Sequence, residues 1–511
     1  MDFVRNNARR LTLINLKNSK SKNKHPLTLT TVRAEVLAGI TVALALIPES
    51  LAFAAIANVN PMVALYTSFC MAVIIAIVGG RPAMISAATG SMALLMTSLV
   101  AKHGVEYLFA ATILTGIIQF LIGAFQLGKF FNFIPQSVIS GFVNALGILI
   151  FTAQLRLFLG ESWQMPVMVA ATLAIVYLFP RLSKAIPSPL VAIVTMTVIA
   201  IATHLPVRRV GDMGEITRNL PVLHLPHISL SLETLAIILP YSLTLAIVGL
   251  LESLLTAALV DDLTDTRSSR NQEARGQGIA NLVTGFLGGM AGCGMVGQSI
   301  INVRSGGRGR LSTGVAGAFL LFSIFVLRDV VQQIPMAALV GVMIMVSFET
   351  FDWPSLKTLR KMPLQEAIVM PCTVAIALWT HDLAQGVLVG VVMSALIFGW
   401  RAAQIHVAAS TVQPETKVYE LTGQLFFGSA THFIELFDCN HDPDQIVIDF
   451  SRSHIWDHSA ASAIAKVVAK YHRLNKQVTL VGLNPESYAS ARKSGVPDHV
   501  ISFGADSGLV A

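Results

Sequence analysis

The sequence predicts an all-α membrane protein with fourteen transmembrane segments in two inverted seven-helix repeats, followed by a small cytoplasmic α/β domain. Three observations support this fold class. The 511-residue chain is 54% hydrophobic and only 13% charged, whereas soluble domains carry about 25% charged residues. Apolar segments long enough to span a bilayer recur at short intervals as far as residue 400. Two further apolar segments are interrupted by glycines.

The N-terminal region, residues 1–33, is a basic arm with eight Lys and Arg residues. A secretory signal would continue with a short apolar run and a small-residue cleavage site, whereas the run at 36–57 is long enough to span. We therefore expect the arm to remain cytoplasmic, in agreement with the positive-inside rule. It could also contact anionic lipid headgroups.

The predicted transmembrane domain, residues 34–404, contains twelve complete spans and two half-helices. The complete spans are predicted at 36–57, 62–78, 106–124, 135–155, 166–180, 187–203, 234–258, 276–291, 311–327, 335–348, 365–379 and 383–400. Lys and Arg are concentrated in the loops that this topology assigns to the cytoplasm, so both termini are predicted to be cytoplasmic. Because each half has an odd number of segments, the halves enter the membrane from opposite sides. The expected location is the bacterial inner (plasma) membrane.

Two stretches, Gly79–Met96 and Gly288–Gly307, cannot form ordinary spanning helices because glycine lowers helix stability by about 1 kcal/mol per interior position. Each is predicted to contain an extended piece and then a short helix, which opens near Thr89 in the first and covers Met295–Arg304 in the second. Such breaks are tolerated only where protein or a water-filled cavity satisfies the backbone. Paired breaks point to a transporter binding site. The alternative, that the glycines only permit close helix packing, explains one stretch better than two.

The starts of the two short helices have the chemistry of an anion cradle. A helix N-terminus offers unpaired amides and about half a positive charge. Thr89-Gly90-Ser91 and Gly294-Met295-Val296 would present two such ends from opposite directions, which suits a small anion. The absent side chain of Gly294 is expected to leave space that the anion needs.

Acidic residues inside two predicted spans are the other candidates. An intramembrane carboxylate is costly and by default marks a functional site, so Glu49 and Glu252 are singled out. The alternative is a helix-packing hydrogen bond from a protonated glutamic acid. Thr256 lies four residues after Glu252 and so shares its helix face. Thr89 and Thr256 could instead hydrogen-bond only to their own helical turn.

The composition changes after Arg401 to that of a small soluble α/β domain, assigned to residues 415–511. Strands are predicted at 417–427, 445–450 and 477–482, and helices at 430–438, 459–474 and 485–494. An even number of spans places this domain in the cytoplasm.

Several motifs together resemble the sulfate permease (SulP) family. They are ALIPESLAFA at 45–54, GGRPAMISAATGSM at 79–92, GLLESLLTAALVDD at 249–262, GQGIANLVTGFLGG at 276–289 and NVRSGGRGRLS at 302–312. The C-terminal domain resembles the STAS domain of these transporters, including WDHSAASAI at 456–464. The resemblance implies an inorganic anion transporter, such as a sulfate transporter, with core and gate domains, usually a homodimer. We expect it to work by elevator-like alternating access.

The resemblance also implies which residues contact the ions. It places substrate contacts at the two helix starts named above and on two full helices, at Glu49, Glu252 and Thr256. Many anion-exchanging relatives have an arginine at the position of Gln298. Without that cation, Glu49 and Glu252 would repel an anion, so we expect symport with Na⁺ or H⁺. Glu252 with Thr256 suits Na⁺, and Glu49 suits a proton, although the roles could be exchanged.

In the C-terminal domain, Ser459 matches the serine that is phosphorylated in anti-sigma-factor-antagonist relatives of the STAS fold, and it is a regulatory candidate. Ala460 follows it, where the family pattern has glycine. The favoured alternative is that Ser459 caps a helix beginning near Ala460, with Asp457 nearby. The domain could also bind a cytoplasmic partner.

Several other functions are weighed against sulfate transport. Bicarbonate and C4-dicarboxylate fit the same dipole cradle, and nucleobase permeases share the architecture. The protein could also be a STAS-based signalling platform in the membrane. An enzyme is not expected, because no nucleophile, base and orienting group occur together. Neither a metal centre nor nucleic-acid binding is expected, and the only predicted bound cofactor is Na⁺ as a coupling ion.

Overall fold

The computed structural model describes residues 29–158, 162–183, 187–214, 220–229, 231–413 and 416–502. Most of the predicted basic arm lies outside these residues, and the first helix already begins at Leu29, inside the range given to the arm. The chain divides into two compact units. The first extends to Met362 and includes Met370–Val389, and the second contains Pro363–Val369 and the chain from Gly390 onward.

Helices dominate the chain as far as Ala402. They are α1 (Leu29–Ala57), α2 (Pro61–Val78), α3 (Gly90–His103), α4 (Val105–Ala124), α5 (Gln136–Arg156), α6 (Gln164–Leu178), α7 (Ser188–Ala202), α8 (Leu232–Thr264), α9 (Arg270–Phe286), α10 (Val296–Arg304), α11 (Arg310–Gln332), α12 (Met336–Thr350), α13 (Trp353–Leu359), α14 (Leu364–Ala367), α15 (Val369–Thr380) and α16 (Leu383–Ala402). Within the described residues, nine helical segments are long and apolar enough to cross a membrane. The protein is therefore a multi-pass membrane protein, while the count of fourteen segments stays a prediction.

The helix ends follow local sequence signals. Asn60 caps α2, since its side chain accepts a hydrogen bond from the amide of Met62 at 2.9 Å, and Pro61 occupies the first helical position. Pro48 lies inside α1, where proline removes one backbone donor and frees the carbonyl four residues earlier. Pro48 directly precedes Glu49 in the sequence.

The helices of the first unit form two bundles. In the first bundle α1–α4 pack with α8–α11, and the most extensive contact joins α4 to α9. There a Cβ on Gly278 would come within 2.4 Å of the backbone nitrogen of Phe120. Close packing through glycine therefore occurs at this helix pair, and it also occurs within the interrupted stretches, where a Cβ on Gly292 would come within 2.5 Å of the backbone oxygen of Ala87. In the second bundle α12 packs against α5, α6 and α7.

A two-stranded crossover joins the two halves of the first bundle. Strand β1 (Ser86–Ala88) pairs antiparallel with β2 (Gly292–Gly294), and Ala87 lies opposite Cys293. Helix α3 follows β1 directly, and α10 follows β2. The predicted extended pieces and short helices are thus confirmed. Because the strands are antiparallel, the two helices leave the crossover in opposite directions.

Buried side chains satisfy the backbone of the crossover. The amide of Asn281 on α9 exchanges two hydrogen bonds with the backbone of Gly292, at 2.8 and 3.0 Å. Ser253 on α8 accepts one from the nitrogen of Gly294 at 2.9 Å. These partners meet the requirement that irregular backbone at membrane depth be satisfied by protein.

Two buried carboxylates anchor the loops on either side of the crossover. Glu273 of α9 accepts the amides of Gly80 and Arg81 at 2.7 and 3.0 Å. Glu35 of α1 accepts three backbone amides of the segment Arg308–Ser312, at distances from 2.6 to 2.9 Å. Each carboxylate holds the loop of the other half, so the crossover is fixed from both repeats.

Arg81 has a structural role, whereas in the sequence analysis the Lys and Arg residues of the loops served only to predict the orientation in the membrane. Its side chain is 5% exposed and lies 2.8 Å from Asp261 at the end of α8. It also donates to the hydroxyl of Thr266 at 2.7 Å. This guanidinium joins the loop before β1 to the end of α8.

The second unit contains a four-stranded sheet in the order β3-β4-β5-β6. Its elements are β3 (His406–Gln413), β4 (Thr416–Leu425), α17 (Ala430–Glu435), β5 (Gln445–Ile455), α18 (His458–Arg473), β6 (Gln477–Val481) and α19 (Pro485–Lys493). Strands β3 and β4 are antiparallel, and β4, β5 and β6 are parallel. The three predicted strands and helices are present. The edge strand β3 was missed, because its small residues give little apolar alternation, and it begins before the predicted domain start at 415.

Candidate functional site

A cavity of about 770 Å³ lies between the two bundles of the first unit. Helices α1, α3, α8 and α10 line it on one side, and α5, α7 and α12 on the other. Glu49, Thr89, Gly90, Glu252 and Met295 all belong to its wall. The structure therefore brings together residues from both halves of the sequence.

The start of α10 is open to this cavity. Its first three amides have no partner within the helix, and Met295 at the cap position makes no side-chain capping bond. Val296 is 39% exposed, and a Cβ placed on Gly297 would meet no atom within 4 Å. The positive end of this short helix is therefore accessible to a ligand.

The start of α3 is more enclosed. The hydroxyl of Thr89 accepts a hydrogen bond from the amide of Met92 at 3.4 Å and so caps the helix. A Cβ on Gly90 would lie 3.0 Å from Ile150 and 3.1 Å from Phe53, which both line the cavity. Glycine at this position keeps the space between the two walls free.

Glu252 is held by both halves of the crossover. One carboxylate oxygen, Oε2, accepts hydrogen bonds from the hydroxyl of Ser91 and, at 3.0 Å, from the thiol of Cys293. The hydroxyl of Thr89 lies 3.0 Å from that of Ser91 and 3.2 Å from the sulfur of Cys293. No described residue bonds the other oxygen, Oε1, and the side chain lines the cavity. This oxygen is therefore available to a bound ion.

Glu49 projects from α1 into the same cavity and is half-buried. Its carboxylate accepts a hydrogen bond from the side-chain amide of Gln298. In the part of the chain that the structure describes, no Lys or Arg forms an ion pair with Glu49 or Glu252. Among the described residues, then, neither carboxylate is neutralised by a fixed cation.

Three residues that were predicted to contact the transported ions, Gly294, Ser91 and Thr256, are not among the residues that line the cavity. A Cβ on Gly294 would come 3.0 Å from the Cα of Ser253, so this glycine permits β2 to approach α8, and the expectation that it leaves space for the anion is wrong. Ser91 is buried against Glu252. Thr256 donates to the backbone oxygen of Glu252 at 2.8 Å, within its own turn, and also lies 3.4 Å from the backbone oxygen of Gly294, so its contacts are not limited to its own turn.

Sequence reasoning missed three residues of this site. Cys293 was not among the predicted site residues, although it lies between two glycines of the interrupted stretch. Glu349 and Arg304 line the cavity but were not among the predicted site residues. Glu349 and Arg304 become candidates because the ends of their helices meet at one cavity. This spatial arrangement cannot be recognised from the sequence.

The regulatory candidate Ser459 lies in the first turn of α18 and is exposed. The capping residue is Asp457, whose carboxylate accepts the amide of Ala460 at 2.9 Å. The expectation that Ser459 caps this helix is therefore wrong. Its phosphorylation stays a prediction.

A buried carboxylate organises the core of the second unit. Asp442 accepts hydrogen bonds from Lys417 at 2.6 Å, from the hydroxyl of Tyr419 at 2.7 Å and from that of Tyr471. The bond to Asp442 raises the pKa of Lys417 above its ordinary value. Burial, followed by the bond to Asp442, raises the pKa of Tyr471. This network stabilises the domain.

Two broken helices that begin at a shared crossover, next to a cavity with unneutralised carboxylates, define a membrane transport protein. Comparison with known families agrees. Residues 32–173 and 160–373 match the Sulfate permease family, and residues 408–507 match the STAS domain. The chain belongs to the sulfate permease family, as its motifs indicated.

Individual relatives match over most of their length. YbaR of Bacillus subtilis (strain 168), named as a candidate sulfate transporter, is 56% identical over 89% of this chain and 95% of its own. The bicarbonate transporter BicA of Picosynechococcus is 28% identical over 88% of each chain.

Two solved structures resemble the fold. The transmembrane domain of a cyanobacterial bicarbonate transporter BicA is 27% identical, with a TM-score of 0.64, and covers 72% of this chain and 98% of that chain. The murine anion transporter Slc26a9 in the inward-facing state has a TM-score of 0.79 and covers 95% of this chain and 94% of that chain. At 17% identity, the second likeness concerns the fold alone.

Proposed function

We propose that this protein is a secondary active transporter that carries a small inorganic anion, sulfate in the first place, across the bacterial inner membrane together with Na⁺ or H⁺. Anion transport follows from membership of the family, whose named relatives are transporters of sulfate and bicarbonate and not enzymes. The observation that supports the site is the uncapped start of α10, with Gly297 facing open space in the cavity. Unpaired amides at a helix start bind oxyanions without a basic side chain.

Cation coupling is proposed from the charge of the cavity. An unneutralised carboxylate about 6 Å from an anion opposes binding by about 3 kcal/mol at an effective dielectric constant of about 20. Glu49 and Glu252 both line the cavity, and neither has a cationic partner among the described residues. A proton or Na⁺ on each carboxylate removes this repulsion. The free Oε1 of Glu252 supports a role in binding the coupling ion.

Topology and assembly are part of the same proposal. The first bundle would act as the core and the second as the gate, and the core would move past the gate in elevator-like alternating access. Fourteen segments in two inverted repeats are proposed from the order of apolar segments in the sequence, and the cytoplasmic location of both termini is proposed from the distribution of Lys and Arg. The homodimer is proposed from the resemblance alone.

Uptake of labelled anions into proteoliposomes tests this function. We expect sulfate uptake that an inward Na⁺ or proton gradient accelerates. Bicarbonate is the second candidate, because BicA is similar over 88% of both chains, and a C4-dicarboxylate is the third. Uptake of none of the three anions under either gradient would contradict the proposal.

Regulation by the second unit is proposed from the exposure of Ser459 at the start of α18. A phosphate there would face solvent and a cytoplasmic partner. Mass spectrometry of the protein isolated from growing cells tests this, and Ser459 without phosphate under conditions that change uptake would contradict it.

A further inference from the structure

A third carboxylate lines the cavity, on the wall opposite Glu49 and Glu252. Glu349 lies in the last turn of α12, which packs with the second bundle, and its side chain is exposed. No hydrogen bond or ion pair joins it to any residue in the described ranges. It is the only acidic residue that α5, α7 and α12 contribute to the described lining.

The charges around Glu349 make this end of the cavity negative. Glu349 shares the lining of this cavity with Glu49 of α1 and Glu252 of α8. Arg304, the last residue of α10, is the one basic side chain among the described lining residues. Three carboxylates therefore face one guanidinium. The described lining of this cavity therefore carries an excess of negative charge.

An unpaired carboxylate in the cavity affects both the coupling cation and the transported anion. It attracts a cation to the cavity and raises its local concentration, and it repels an anion for as long as its charge is unscreened. Because Glu349 is exposed and lines the cavity, a cation that enters the cavity can reach its carboxylate directly. Glu49 and Glu252 are more enclosed, so they are placed to receive a cation that has already entered the cavity.

We propose that Glu349 is the loading residue for the coupling cation, which it draws into the cavity before the anion binds. The proposal rests on the cation-coupled transport proposed above, and it adds an order of binding, with the cation first and the anion second. The carboxylate contacts the cation directly and acts on the anion only through charge.

The test is the dependence of labelled sulfate uptake on Na⁺ concentration and on external pH, measured separately in proteoliposomes. For Glu349→Gln we expect the cation concentration at half-maximal uptake to rise about threefold to tenfold. The maximal rate at saturating cation should be unchanged, and so should the KM for sulfate under that condition. Glu349→Asp, which keeps the charge, should restore the wild-type cation dependence.

A matched control removes a carboxylate outside the cavity. Glu233 is exposed in the first turn of α8 and does not line the cavity, so Glu233→Gln should leave the cation dependence as in the wild type. If the wild-type protein responds to a cation but Glu349→Gln responds identically, this inference is wrong and the proposed function stands. If the wild-type protein transports sulfate without any cation dependence, both the coupling and the loading role are wrong.

Discussion

The side-chain amide of Gln298 on α10 donates a hydrogen bond to the carboxylate of Glu49 on α1. This bond joins the second half-helix to the first transmembrane helix beside the uncapped helix start. It gives Glu49 a polar partner but no positive charge. An arginine at this position would supply a guanidinium, which pairs with a carboxylate through two hydrogen bonds and neutralises it.

Replacement of Gln298 by arginine should therefore weaken the need for a coupling cation. We expect the ratio of uptake with a cation gradient to uptake without one to fall about threefold or more. Uptake and exchange of labelled anion in proteoliposomes measure this ratio. Gln298→Met is the control, because it removes the donor without adding charge. A Gln298→Arg protein with the wild-type ratio would show that the charge at this position does not govern coupling.

The two glycines beside the crossover should respond differently to substitution. Gly297→Leu places a side chain in open space at the start of α10, so the protein should fold normally and lose at least about nine-tenths of its uptake. Gly294→Ala forces β2 away from Ser253, so the thermal stability in detergent should fall instead. Normal uptake in a stable Gly297→Leu protein would place the anion elsewhere.

The network around Asp442 predicts that the second unit loses stability at alkaline pH. The pKa values of Lys417 and Tyr471 are both raised in the folded state, so their protons are held more tightly there than in the unfolded chain. The stability that they contribute is complete below about pH 10 and declines as the pH rises above it. Hydrogen exchange of β5 and α18 in the intact protein should therefore accelerate above pH 10.

Tyr471→Phe provides the matched control for this effect. It removes one donor to the buried Asp442 and should cost about 1–3 kcal/mol at neutral pH, and the exchange rate should then depend less steeply on pH above 10. An equal pH dependence in both proteins would mean that another group causes the alkaline loss.

Much of the fold follows from the sequence because its signals are local. A long apolar run, a paired glycine or an alternating strand can be recognised within a few residues, so most of the long helices, both half-helices and strands β4, β5 and β6 were predicted, whereas α13 was missed and the span predicted at 365–379 is divided into α14 and α15. Strand β3 has mostly small side chains and gains its place by pairing with β4, a partner that follows later in the chain. Such a strand has a weak local signal.

Part of the candidate site could be predicted from the sequence, because some residue types are rare inside membrane helices and therefore indicate a function. Carboxylates in apolar helices and broken backbone are unusual enough to point to Glu49, Glu252, Thr89 and the start of α10. The direction in which a residue faces was not predictable. Gly294 and Gly297 are three residues apart in the same motif, yet one contacts Ser253 and the other faces open space. Only the packing of α8 against β2 decides between them.

The most direct test of the account is sulfate uptake by the double variant Glu49→Gln and Glu252→Gln, measured in proteoliposomes under an imposed Na⁺ gradient and, separately, under an imposed pH gradient. Both substitutions keep the size of the side chain and remove its charge. The account predicts that the protein still binds sulfate at the start of α10 and that neither gradient accelerates its uptake. Wild-type uptake with an unchanged response to both gradients would contradict cation coupling through these carboxylates.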